Sequence, residues 1–510
     1  MITLVVNATV LTMDPTLPVA EALAVKDGRL VEVGGTDEIL WLREDDYELI
    51  DLEGRTVVPG FVDPHNHFSI GALETFWADC RDATSIADLQ SAMAAAAART
   101  PPGEWVRGLG YDARRLRERR DPTRAELDEA VADRPALLLH FSHHQGVANS
   151  RALAAAGVTR ATPDPRGGEI GRDRSGEPTG LLYERAMSDA ERGSREGWET
   201  RFVASAAAAS RAYAAQGITT IQDAAVTPAM ARRYAQAREA GALAIDVVET
   251  MVGSRGWFDP PDDAAPGPWL KLFVDGGYRC AVRFERDGRL VTQGFLFYER
   301  GELAAILTSA WRAGRRVVCH AIGNVGLETA AGAIADALAG EPAGRERVRI
   351  DHAIFLTPEL IGRIADLGVW VVAQPSFLWD GVTSAPPPGL MRRPFRSVVE
   401  AGISQAFSSD FPCGSLSPLA GIAAAVGRRT RHGELADADQ AISIRQALEA
   451  YTIGAARAAG LGHDRGSLEA GKRADFLVLS TNPLQSQPHE LAEVQVLQTW
   501  VSGKLVTNKA

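Results

Sequence analysis

Two histidines close the stretch Pro59-Gly60-Phe61-Val62-Asp63-Pro64-His65-Asn66-His67. On an extended strand alternate side chains share a face, so His65 and His67 point one way and Asn66 the other. Two neutral imidazoles at a strand end can grip one metal ion. Taken alone, the pair has a plainer reading as two polar residues ending a strand. Four more residues of ligand chemistry change that balance. His320 ends Arg316-Val317-Val318-Cys319-His320, His352 ends Val348-Arg349-Ile350-Asp351-His352, Asp410 ends an apolar run begun at Ile403, and Lys271 lies inside Leu270-Lys271-Leu272-Phe273-Val274-Asp275. Each has a duller explanation: a hydrogen-bonded core histidine, a helix cap at Asp410, a Lys271–Asp275 pair. Their recurrence in strand-like runs, in one order, favours a shared metal centre.

Residues so far apart in sequence need a scaffold that brings strand ends together. The runs at Pro59–His67, Gly217–Asp223, Ala244–Thr250, Leu270–Asp275, Arg316–His320, Val348–His352, Gly368–Gln374 and Ile403–Asp410 make eight strands in order. Ala/Leu-rich helical patterns lie between several of them, as at Leu303–Ala313 and Thr357–Leu367. Such alternation predicts an α/β fold of the (β/α)8 TIM-barrel class, whose strands open their C-terminal ends into one mouth.

Two features exceed a bare barrel. The gap from His67 to Gly217 is far longer than one βα unit, and is expected to be an insertion over about residues 75–210 that builds or covers the mouth. It holds helical patterns at Ser85–Ala98, Thr123–Val131 and Thr200–Gln216, and an apolar run, Ala136–Phe141, assigned to the insertion rather than the barrel. Both chain ends read as β. Leu4–Thr12, Ala22–Val25, Leu30–Gly35 and Tyr47–Val58 at one end, with the hairpin turn Lys26-Asp27-Gly28-Arg29, are matched by Ala474–Leu479 and Val494–Val506 at the other. The expected organisation is a small composite β-sandwich from residues 1–58 and 464–510, with the hydrolase barrel at 59–463.

Composition narrows the class. A net charge of −11 opposes wholesale nucleic-acid binding, and no basic run with interleaved aromatics stands out. No apolar stretch is long enough to span a bilayer, and the first residues lack a basic n-region, so no membrane association is expected. Four scattered cysteines, Cys80, Cys280, Cys319 and Cys413, argue for reduced thiols and a cytoplasmic home. Size and fold suggest a homodimer.

The stretch Gly60–His67, strand-end His320 and His352, and Ser408-Ser409-Asp410 together resemble the metal-dependent amidohydrolase superfamily. Gly466–Leu479 resembles that superfamily's return into its small β-sandwich. More narrowly, Gly108–Asp112, His144 with Ala148–Leu153, Gly167–Ile170 with Thr179–Glu184, and Lys271–Gly276 resemble the amidohydrolase 3 branch, which includes the N-substituted formamide deformylases. The resemblance covers nearly the whole chain. It implies that His65, His67 and Asp410 hold one divalent ion, that His320 and His352 hold a second, both expected to be zinc, and that Lys271 bridges them as a carbamate. Glu184 is the rival carboxylate. Two details depart from the branch: Gly277-Tyr278-Arg279 follows Asp275-Gly276 where small residues and a serine are usual, and Ser409 precedes Asp410 where glycine is common.

A zinc-like ion brings the pKa of bound water from about 15.7 to about 7, so a metal-activated hydroxide is available at neutral pH. The resemblance gives Asp410 the role of taking the water's proton and delivering it to the leaving nitrogen. His144 is the candidate for holding the substrate or its oxyanion. Phe68, Tyr111, Trp379 and Phe411 are candidate pocket walls, Glu184 a further substrate contact, and Arg396 a clamp for a substrate carboxylate. The expected activity is hydrolysis of an amide-type C–N bond, N-formyl or N-acyl, in a small molecule. A deaminase or an ester or lactone hydrolase on the same scaffold remains open, as does a catalytically silent scaffold protein.

Overall fold

The computed structural model describes residues 1–253, 267–277, 279–381 and 385–509. Tyr278 therefore lies outside the described residues. At its centre eight parallel strands follow one another in chain order: β1 (Phe61–Asn66), β2 (Ile218–Val226), β3 (Asp246–Val252), β4 (Trp269–Phe273), β5 (Arg316–Ala321), β6 (Val348–His352), β7 (Trp370–Ala373) and β8 (Gln405–Phe407). Each strand pairs with the next in parallel register, for example Phe273 with His320 and Ala321 with His352. This is a TIM-type barrel. β3 begins two residues later than its apolar run suggested.

The seam between β8 and β1 is closed at the C-terminal end by the ligand-bearing segments themselves. The Asp410 N–H donates to the His65 carbonyl and the His67 N–H to the Phe411 carbonyl, both at 2.9 Å. Below them the Ser409 hydroxyl donates to Asp63 at 2.5 Å, and Asn66 Nδ2 reaches both Asp63 (2.8 Å) and Ser409 (3.0 Å). Ser409 thus laces the two segments together.

The outer helices show why these segments are helical. In the helix Pro358–Leu367, proline at the first position supplies a preset φ, and the Thr357 side chain accepts the Leu360 N–H. Leu360, Ile361, Ile364 and Leu367 fall on one face and are buried, each side chain worth about 1.5–3 kcal/mol of burial. Gly368, at φ +63°, ends the helix in the left-handed region.

Between β1 and β2 a second sheet of six strands runs in the order 168–172, 178–184, 145–148, 136–140, 106–111, 78–79. The apolar run Ala136–His140 lies in this sheet. Helix Ile86–Arg99 covers it, packing Leu89, Met93 and Ala96 against Val106, Leu138 and Val147. Strands from the two chain ends share a third sheet, where Thr56–Pro59 pairs antiparallel with Phe476–Leu479. It packs on a four-stranded sheet of residues 2–6, 22–26, 29–34 and 47–51, with Val5, Val25, Val57, Val478 and Trp500 between them. No helix among the described residues is long and apolar enough to cross a membrane.

Candidate metal centre

His65, on the last turn of β1, is 1% exposed, and His67 follows just beyond the strand. One nitrogen of each and one oxygen of Asp410 all lie within 4.8 Å of one another. His67 Nε2 is 3.2 Å and His65 Nε2 3.4 Å from Asp410 Oδ1. Lys271 projects from β4, fully buried, with Nζ 3.3 Å from His65 Nε2. The rings of His320 and His352 sit 4.3 Å apart, and His352 lies 4.7 Å from His65. All six sequence candidates meet at one mouth.

The protonation states suit ligation. Burial pushes His65 down to about 4, with the Lys271 cation adding to the effect. Burial likewise holds His320 and His352 well below their ordinary value, so these imidazoles stay neutral at pH 7. Burial would raise Asp410, but His65 and His67 beside it outweigh that and hold it below the usual carboxylate range. Burial draws Lys271 down to about 8, so a share of it is the free amine at neutral pH.

Four buried atoms here have no hydrogen-bond partner among the described residues: His67 Nδ1, His320 Nε2, His352 Nε2 and Asp410 Oδ1. Buried polar atoms are rarely left so. The neutral imidazoles of His65, His320 and His352, gathered around a carboxylate, lack the positive charge that would hold the cluster together. A divalent cation supplies it, and N/O donors of this kind fit zinc-like ions.

The supporting groups are as organised as the ligands. His65 Nδ1 lies 2.5 Å from Asp351, which accepts from Arg349 Nε at 2.8 Å. Arg349, 1% exposed, also donates to the Pro64 carbonyl (2.5 Å) and to Gln222 (2.7 Å). His352 Nδ1 is 2.8 Å from Gln374 Oε1. Such partners fix ring orientation. Asp351 and Arg349 escape a reading of the sequence because alternation puts Asp351 and His352 on opposite faces. His352 takes φ +82°, which turns its ring back to the side Asp351 occupies. Asp410 (φ +52°) and Glu184 (φ +50°) are also held in the left-handed region, where non-glycine residues are uncommon.

The mouth opens into a cavity of about 610 Å³. His143 and His144 from the inserted sheet line it, facing Phe141, Phe273, Phe377 and Phe411. His144 Nδ1 is 2.7 Å from Glu184 Oε2, and its ring lies 5.6 Å from that of His320. A Cβ on Gly277 would come within 2.1 Å of the His144 ring, so only glycine leaves room for it.

Other candidates fall elsewhere. Glu184 is fully buried behind His144, its second oxygen accepting the Gly277 N–H at 3.1 Å, and does not reach the metal ligands as a rival bridge. Tyr111 is buried beneath the inserted sheet and donates to Asp121 at 2.9 Å, outside the cavity lining. Phe68 packs into the core against Phe202 and Tyr213. Trp379 turns into an apolar cluster with Leu378 and Ala436, and Phe377 takes its place in the wall. Arg396 is exposed and pairs with Glu400 one helical turn on, at 2.7 Å. Of the duller alternatives, Lys271 does not pair with Asp275, which instead accepts three backbone N–H groups at 281, 322 and 323. Asp410 caps no helix, since Ser417 caps the one that follows.

Known proteins resemble the chain over nearly its whole length. The amidohydrolase family model matches residues 48–507. The chain is 34% identical to the N-substituted formamide deformylase of Arthrobacter pascens, over 98% of this chain and 97% of that protein. It is 30% identical to the protein LONG AFTER FAR-RED 3 of Arabidopsis thaliana, over 98% and 91%. Among solved structures, an uncharacterized metal-dependent hydrolase from Pyrococcus horikoshii OT3 superposes with a TM-score of 0.74 at 25% identity, covering 96% of this chain and 99% of that one.

Proposed function

The chain belongs to the amidohydrolase family, and from that premise we propose that it hydrolyses the C–N bond of a small N-formyl or N-acyl compound. The observation that carries this reading is the meeting of His65, His67 and Asp410 within 4.8 Å, beside the unpartnered nitrogens of His320 and His352, around one cavity. Divalent ions, two of them and zinc by this reading, would be held by His65, His67 and Asp410 and by His320 and His352, and would supply Lewis acidity and an acidified water. Lys271, its amine partly neutral, would add carbon dioxide and lose a proton to become a bridging carbamate.

The remaining work falls to the chain's own groups. Asp410, ionised and beside His65 and His67, takes a proton from the attacking water and delivers it to the departing nitrogen. His144, its Nδ1 anchored on Glu184, holds the substrate from the side opposite β1. Phe141, Phe273, Phe377 and Phe411 exclude water and favour an apolar or aromatic group on the nitrogen or acyl side. Residues 75–210 act in this reading as the lid of the 59–463 barrel. Residues 1–58 and 464–510 act as one β-sandwich that ties the chain ends together.

The test is a hydrolysis screen of N-formyl amines, N-acyl amines, cyclic amides, esters and aminopurines, with metal content measured in parallel. Formate or carboxylate release from the amides, lost in Asp410→Asn, supports the reading. Faster turnover of esters, or ammonia release from ring amines, would replace it.

A further inference from the structure

The cavity that begins at the metal ligands ends among arginines. Arg114 reaches it from the inserted segment, and Arg392 and Arg393 from the segment after β7. These guanidinium groups are near enough for Arg114 and Arg392 each to disfavour the charge on Arg393. Such crowding is unexpected in a chain whose net charge is −11. Arg114 is answered by Asp112 at 2.8 Å and lies over the Phe141 ring at 5.4 Å. Asp437 stands 4.0 Å from Arg392 and 3.7 Å from Arg428. Arg393 makes no side-chain hydrogen bond or ion pair among the described residues and its Nε is buried without a partner, Asp437 being the nearby carboxylate that favours its charge from a distance. Burial, then repulsion from Arg392 and Arg428, pulls it down to about 9, still a cation at neutral pH.

The backbone places this cation deliberately. Phe355–Leu356, just past β6, pairs antiparallel with Met391–Arg392. The Arg393 N–H donates to the Ile354 carbonyl at 2.8 Å, two residues from the metal ligand His352. Arg393 itself takes φ +48°. A half-buried guanidinium is thus tied to the wall of the cavity that holds the candidate metal ligands. A partly desolvated cation without an ion-pair partner gains when a counter-charge arrives. The guanidinium fork matches a carboxylate in two hydrogen bonds. The apolar walls between would carry the hydrocarbon part of the same molecule.

We propose that Arg393 binds a carboxylate on the substrate, so that the preferred compounds are N-formyl or N-acyl derivatives bearing an acid group and an apolar body. This rests on the proposed C–N hydrolysis for the word substrate, but the binding claim does not need turnover. Binding of phenylacetate and of phenylacetamide to the metal-loaded protein is measured by calorimetry, in wild type, Arg393→Gln and Arg393→Lys. Phenylacetate is expected to bind at least about tenfold more tightly than the amide, to lose that advantage in Arg393→Gln, and to regain part of it in Arg393→Lys. Equal binding of acid and amide, or an acid preference unchanged in Arg393→Gln as direct metal ligation would give, overturns the proposal. Kinetics separate it from the reading beneath it. N-formylphenylalanine should be hydrolysed with a lower KM than its amide, and Arg393→Gln should raise KM for the acid alone with kcat within about twofold. Turnover of both compounds at equal KM overturns the carboxylate and leaves the hydrolase. Selective acid binding without any amide hydrolysis upholds the Arg393 site and overturns the hydrolase.

Discussion

The two halves of the histidine cluster are built differently. On the β1 side, His65 is backed by an ionised carboxylate, Asp351, and that carboxylate by the buried cation Arg349, which also grips the backbone at Pro64. On the β5–β6 side, His352 is backed by a neutral amide, Gln374, while His67 on the β1 side has its Nδ1 buried with no hydrogen-bond partner among the described residues. A carboxylate behind an imidazole raises its basicity as well as fixing its ring, whereas an amide mainly fixes the ring. At His65 the backing is therefore charged and strong, and at His352 it is neutral and weaker.

The sharpest way to break this contrast is Asp410→Asn, which removes the anion of the first half and the proposed proton carrier at once. Turnover should fall by about 10²–10⁴-fold. Steady-state rates and metal analysis on the same sample check it, and a variant retaining a tenth of wild-type activity would strip the first half of its assigned role. Next in size is Asp351→Ala. It leaves Arg349 charged and buried without its anion, and should cost about 3–5 kcal/mol of stability and about 10–100-fold in metal affinity, read by denaturant melts and competitive chelator titration. The smallest effect belongs to Gln374→Ala. It loses one neutral hydrogen bond, about 1 kcal/mol, and should lower metal affinity by no more than about tenfold. If the Gln374 and Asp351 variants lose metal equally, the two halves are equivalent and the comparison fails.

The residues that meet at the mouth were legible because each depends on local pattern. His65 and His67 share a face by strand alternation, and His320, His352 and Asp410 follow apolar runs, so a barrel was enough to unite them. The eight strands were visible for the same reason. What lies behind the ligands was not legible. Asp351 reaches His65 from a strand 286 residues away, and only the left-handed backbone at His352 lets neighbours 351 and 352 serve one site. The pocket walls failed for a related reason. Tyr111 and Trp379 are aromatic at plausible places, yet each turned inward, and their neighbours Gly110, Asp112 and Phe377 took the wall. One residue along a strand, or two along a helix, turns a side chain to the other side. Arg396 shows the same slip: on its exposed helix it is a surface ion pair, while Arg393, three residues before it, lines the pocket.

The β8–β1 seam also bears on biosynthesis. Its hydrogen bonds join the 65th residue to the 410th, so during translation the first two histidines wait while most of the polypeptide is still on the ribosome. Contacts of such sequence separation form late. A nascent or prematurely released chain lacking the last strand has no Asp410 to complete the cluster. Cation capture through all three groups would thus be reserved for finished molecules.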